Sequence, residues 1–228
     1  MHCKYSNFKI SLIAVIFFLS VDHSYAQSPK FQDAMTKAKA GFDTIRTAGD
    51  MMELANRFER IALAEKNQWL PYYYSGLCRT MACFLYNDVM RIDGLMEVAE
   101  KHALQADSLS PSNSEVFTLR SMILGARIMV DPMTRGQLYG MQSMALLQQA
   151  MHLDPSNPRP YYLMGQSLFY TPPQFGGGQA AGCSLLQTAK VKFAGFTPAS
   201  PLNPSWGEEM VDEALKQCAA SKDPATGE

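Results

Sequence analysis

Histidine is scarce in this sequence. Of the four in the chain, only His102 and His152 lie beyond residue 26. Neither has a second ligand type at a recognisable spacing, so a metal centre is not expected. Charge of one sign is also missing: 20 Lys and Arg face 21 Asp and Glu. No basic field follows from that balance, which argues against nucleic acid as a partner. Beyond residue 26 no apolar run approaches the roughly 20 residues that cross a bilayer. Sustained alternation of apolar and polar residues is absent too, which leaves little room for strands. No Ser or Cys stands in a nucleophile motif, and no carboxylate pair is set apart as acid and base. The triple glycine at 176–178 lacks the Lys and Ser/Thr of a phosphate loop. The chain is therefore expected to be non-catalytic, with no cofactor and no metal.

What is present begins with an export signal. Lys4 and Lys9 make a positive start, Ile10 to Val21 is apolar apart from Ser residues, and Ser24-Tyr25-Ala26 supplies the small residues of a cleavage site. Residues 1–26 are read as a signal peptide, and no Cys follows the cut to carry a lipid. The mature chain of 202 residues would be exported and periplasmic, with 18 basic and 20 acidic side chains once Lys4, Lys9 and Asp22 are gone. Cys78, Cys83, Cys183 and Cys218 remain, and four cysteines allow three pairings. Cys78 and Cys83 are five apart on one expected helix and point in different directions, which suits buried apolar residues. The fourteen mature methionines lie scattered along helical apolar faces and read as core filling, not soft-metal ligands.

From Pro29 onward the apolar residues recur at three- and four-residue steps, the period of amphipathic helices. Phe31, Ala34, Met35, Ala38, Phe42 and Ile45 form one stripe; Met51, Leu54, Ala55, Phe58, Ile61 and Ala62 form the next, with Asp50 as its cap. Further helices are expected from about Pro71 to Met90, Leu95 to Leu109 after an Asp93-Gly94 break, Val116 to Val130, Arg135 to Leu153 and Tyr161 to Tyr170. After a loop with two Pro and three Gly come Gln179 to Phe193 and Pro204 to Cys218. Residues 219–228 are small and polar and read as a tail.

The helices repeat. Ser-Leu-Ser-Pro-Ser-Asn at 108–113 matches His-Leu-Asp-Pro-Ser-Asn at 152–157, an offset of 44. Pro-Tyr-Tyr-Tyr-Ser-Gly at 71–76 matches Pro-Tyr-Tyr-Leu-Met-Gly at 160–165, an offset of 89, and Trp206 is expected to open a further copy. Before each turn, small residues stand seven apart with one between: Ala99, Ala103 and Ala106, then Ser143, Leu147 and Ala150. Residues seven apart share a helix face, and small ones there let a neighbouring helix approach. Gly76 and Gly165 read in the same way on the preceding helices.

These residues resemble the tetratricopeptide repeat family, over roughly Met51 to Cys218. The match lies in the small–large–small helix ending in Asp-Pro-Ser-Asn, followed by an aromatic and a Gly. Departures are the period of 44–45 residues against the family's 34, and Arg120-Ser121 in the middle unit. The resemblance implies an all-α, right-handed solenoid of about four helix pairs plus a closing helix over residues 27–218. It also implies a concave face that holds a peptide or a partner protein's segment. Three adjacent tyrosines step about 100° apart and cannot all face one core. Carried onto this chain, Tyr73, Thr118 and Tyr162 are the groove-lining positions, and Gln166 and Tyr170 extend the same face. The loop Thr171-Pro172-Pro173-Gln174-Phe175-Gly176-Gly177-Gly178 is similar to a turn in helical partner subunits of export-linked transport systems, which gives an alternative: a small-ligand-binding component of periplasmic transport. Cys183 near the start of one helix and Cys218 at the end of the next would meet if those helices pack antiparallel, and are expected to form a disulfide.

Overall fold

The computed structural model describes residues 28–86 and 88–220; the signal-peptide reading and all but the first two residues of the tail lie outside them. Among the described residues the protein is all-α, with no strand. Nine α-helices follow one another among the described residues: α1 (Pro29–Lys39), α2 (Ala48–Ala64), α3 (Trp69–Leu85), α4 (Ile92–Leu109), α5 (Ser114–Ile128), α6 (Pro132–Leu153), α7 (Pro158–Tyr170), α8 (Gln179–Ala194) and α9 (Glu208–Ala220). No described helix is long and apolar enough to cross a membrane.

Local chemistry sets most of the boundaries. Ser28 caps α1 through Phe31 N, and Pro29 occupies the first turn, where its missing N–H costs nothing. Thr47, not Asp50, caps α2. Asp50 instead closes a capping box by accepting from the Thr47 N–H while Thr47 Oγ1 accepts from Asp50 N. Asn113, Asp131 and Asn157 cap α5, α6 and α7. Several expected boundaries move; α3 ends at Leu85 instead of near Met90, and α6 and α7 each begin three residues early, at Pro132 and Pro158. α4 begins at Ile92, because Asp93 and Gly94 fit its first turn and Ile92 is buried. α9 begins at Glu208, so Pro204 to Gly207 lies outside any helix and Trp206 starts no new repeat.

Each helix packs chiefly on its neighbours in sequence, and α3 also meets α5, as α5 meets α7. Gly76 and Gly165 lie where the chain needs no side chain. A Cβ on Gly76 would stand 3.2 Å from Ala99 O, and one on Gly165 3.0 Å from Gly182 O. Ala99, Ala103 and Ala106 of α4 are wholly buried. Two cores result. The larger runs through α1–α5 around Phe31, Phe58, Tyr74, Leu77, Met96, Leu119 and Ile123; the smaller joins α7, α8 and α9 through Tyr162, Leu186, Phe193 and Val211. Between them α6 buries only Leu147 and Ala150 of its 22 residues.

Candidate functional site

The tyrosines at the start of α3 and α7 have different fates. Tyr73 is fully buried, and its hydroxyl donates to Glu115 Oε2 (3.3 Å) and accepts from Trp206 Nε1 (2.9 Å). Burial, reinforced by the Glu115 charge, pushes its phenol well above the ordinary range. Thr118 is equally buried and donates to Ser114 O within α5. The reading of Tyr73 and Thr118 as groove-lining contacts is therefore corrected: neither can touch a ligand in this structure.

Residues 195–207, the link between α8 and α9, cover this face. Prolines at 198, 201 and 204 deny the link a helix, and Leu202 sinks into the larger core. Its main-chain carbonyls are taken one after another by side-chain donors. Lys39 Nζ binds Pro201 O (2.7 Å) and Asn203 O (2.8 Å), Tyr74 OH binds Leu202 O (2.9 Å), and Arg159 donates to Pro204 O (2.7 Å). Arg159 is wholly buried. It pairs with Glu115 at 2.8 Å and lies 4.8 Å from the Phe196 ring centre and 5.4 Å from that of Trp206. Burial raises the Glu115 carboxyl above its usual range despite the guanidinium beside it, and burial next to Arg159 lowers Lys39. Lys39, Glu115, Arg159 and the covering link escaped the sequence reading. The every-third-residue prolines and a charge set between Pro158 and Pro160 were the available signals.

Tyr162, Gln166 and Tyr170 do come together. Placed at helical spacing on α7, they line a cleft of about 230 Å³ with Phe169, with Leu186 of α8, and with Met210, Glu213, Ala214 and Gln217 of α9. Burial raises the Tyr162 phenol and a bond with Gln166 holds it back in part. Tyr170 OH donates to Gln217 Oε1 at 2.6 Å, tying the two walls. At the rim Tyr170 is 65% exposed and Met210 41%, beside the exposed polar side chains Glu213 and Gln217; Phe175, in the loop after α7, is 76% exposed. Gly176 (φ 83°) and Gly178 (φ 124°) shape that loop, and its Gly178 N–H returns to Leu168 O.

A larger cleft, about 680 Å³, lies at the α4–α5 and α6–α7 turns, with Trp69 and Phe196 among polar turn residues and Lys192. Cys183 and Cys218 are bonded, with sulfurs 2.07 Å apart and Cα atoms 5.8 Å apart; Cys78 and Cys83 are buried thiols. His102 is buried beside Tyr72, with Nε2 3.7 Å from Glu59 Oε1. His152 is exposed, and neither histidine lines a described cleft. No group of three His, Cys, Asp or Glu stands ready for a metal among the described residues.

No family model and no curated protein matches this sequence. Among solved structures, the HusA haemophore from Porphyromonas gingivalis superposes with a TM-score of 0.78 at 33% sequence identity. The match covers 89% of this chain and 100% of the haemophore chain. Identity of that order along the whole of the solved chain places this protein in one family with the HusA haemophore.

Proposed function

We propose that the protein is an exported, non-catalytic carrier of a porphyrin, haem being the natural form, and that the cleft between α7 and α9 receives it. The observation that carries this reading is the full-length match to a haemophore. The cleft's chemistry supports it: two phenols and a thioether in one lining, aromatic walls, and exposed Tyr170 and Met210 at a rim that suits a flat ring half inserted. With no histidine in the cleft, iron would be met by a tyrosine or by Met210, both of which serve as haem ligands in proteins. The helices are read as four tetratricopeptide-like pairs closed by α9, and export rests on residues 1–26. The concave face that the repeat would offer to a peptide is occupied here by residues 195–207, which favours the small-ligand reading over an open peptide groove.

The larger cleft supplies a second location, because its size falls in the range usual for ligand pockets, roughly 300–1,000 Å³. Haemin titration followed by visible absorbance separates the two. Tyr170→Ala with Met210→Ala is expected to weaken binding about tenfold or more, while Trp69→Ala leaves it within about twofold. The reverse ranking would move the site to the turns, and an unchanged haemin spectrum at saturating protein would refute the carrier itself. Metal-free protoporphyrin is expected to bind as well, since the ring faces carry most of the contact.

A further inference from the structure

α9 is a wall with two fastenings. It gives the cleft Met210, Glu213, Ala214 and Gln217, yet buries only Val211 and Cys218. Its start is held through the preceding link, where Trp206 reaches Tyr73 and Leu202 enters the larger core. Along its length Lys190 meets Asp212 (2.8 Å) and Glu208 (3.6 Å) at the surface, where such pairs contribute little. The Tyr170–Gln217 bond is likewise open to water. At its end the hold is the bond between Cys218, in its last turn, and Cys183, in the first turns of α8. Three of the four cleft residues of α9 lie between Val211 and that bond.

We propose that the Cys183–Cys218 disulfide is the fastening that keeps α9 in place as the cleft wall, so that a dithiol reductant opens the cleft and releases its ligand. This rests on the carrier reading above. One thiolate of the dithiol attacks a sulfur of the pair and forms a mixed disulfide, and its second thiol displaces the remaining cysteine. The reductant leaves as a cyclic disulfide, and Cys183 and Cys218 take up the two electrons and two protons. Both cysteines are buried, so attack proceeds through local opening of the contact between α8 and α9. Once reduced, residues 212–220 are held by the half-buried Ala214 and Leu215 and by the Cys218 thiol, with no other side chain in the smaller core. The link 195–207 stays, because its bonds to Lys39, Tyr74 and Arg159 do not pass through the disulfide.

The test compares oxidised protein, protein reduced with dithiothreitol, and the Cys183→Ser/Cys218→Ser variant, by haemin titration and by amide hydrogen exchange. Reduction is expected to weaken haemin binding about tenfold or more and to speed exchange in 212–220 by a similar factor. Residues 197–206 and α2–α5 serve as controls that stay protected. Dithiothreitol is expected to have no effect on the double variant, and if that variant does not fold, the reduced native chain carries the comparison alone. Affinity within about twofold after both thiols become alkylatable overturns the proposal. Should oxidised protein fail to bind haemin, the carrier reading falls, and unchanged exchange in 212–220 would then also remove α9's dependence on the bond.

Discussion

The two cores of this protein are built by different means. Across α1–α5 a continuous set of side chains is removed from water, with close helix crossings at Gly76 and the alanines of α4. Across α7–α9 the buried set is short, and a disulfide and a tight Gly165–Gly182 crossing supplement it. Small buried sets supply little stability on their own, and covalent closure is the usual supplement. The cleft is found in the thin region, where a ligand can lean on one helix that has no deep core behind it. The two regions are joined by the link 195–207 and by Arg159, a residue of α7 whose charge is matched by Glu115 of α5.

Arg159 therefore gives the harshest way to break the comparison. Removing one partner of a buried ion pair leaves the other charged and unpaired, at a cost of about 3–5 kcal/mol. Arg159→Met is expected to destabilise by that order in urea unfolding and to release the link, because Pro204 O also loses its donor. Adding Glu115→Leu is expected to recover much of the loss, since the orphaned carboxylate disappears. Next in size is the disulfide, which closes 35 residues of chain. Its removal is expected to cost about 2–4 kcal/mol, with the loss confined to α8 and α9 in hydrogen exchange.

The larger core was the more legible of the two in the sequence. Apolar stripes at three- and four-residue steps, and Pro, Gly, Asn and Asp between them, mark local preferences that each short segment carries by itself. Ala99, Ala103 and Ala106 announced a close crossing for the same reason. The start of α4 was hidden because an Asp-Gly pair that reads as a break also fits a first helical turn. Tyr73 was misplaced for a different cause: what covers it is Trp206, 133 residues away. No local pattern reports which distant segment will lie over a helix face. Tyr162, Gln166 and Tyr170 stand together because they share one helix face, which spacing does report, whereas the wall facing them belongs to α9.

Two glycines sharpen the contrast at smaller magnitude. A Cβ on Gly182 would stand 2.6 Å from the Phe169 backbone, so the crossing of α7 and α8 has no room for it. Gly182→Ala is expected to cost about 1–3 kcal/mol as the helices are forced apart, and haemin affinity should fall with it because Phe169 and Leu186 line the cleft. In α5 a Cβ on Gly125 meets nothing within 4 Å. Gly125→Ala is expected to stabilise by roughly 0.5–1 kcal/mol through helix propensity alone, read as a higher urea midpoint with an unchanged slope.

The smallest effect belongs to the larger core and depends on pH. Burial, followed by the Arg79 charge and in smaller part Lys101, lowers the His102 pKa, while Glu59 opposes them. Tyr72 lies edge-on to the ring and carries no charge into it. An unfolded histidine takes its proton near pH 6.5, whereas the folded imidazole resists protonation to lower pH. Below that value the unfolded chain binds more protons than the folded one, so stability falls on acidification and is fully present above it. Glu115, whose carboxyl is raised by burial, works in the opposite direction at lower pH, so the difference between two proteins is the quantity to measure. Urea midpoints at about pH 7.5 and 5.5 are expected to fall less in His102→Gln than in the native chain. An equal fall in both would show that the imidazole is as easily protonated in the folded core as in water.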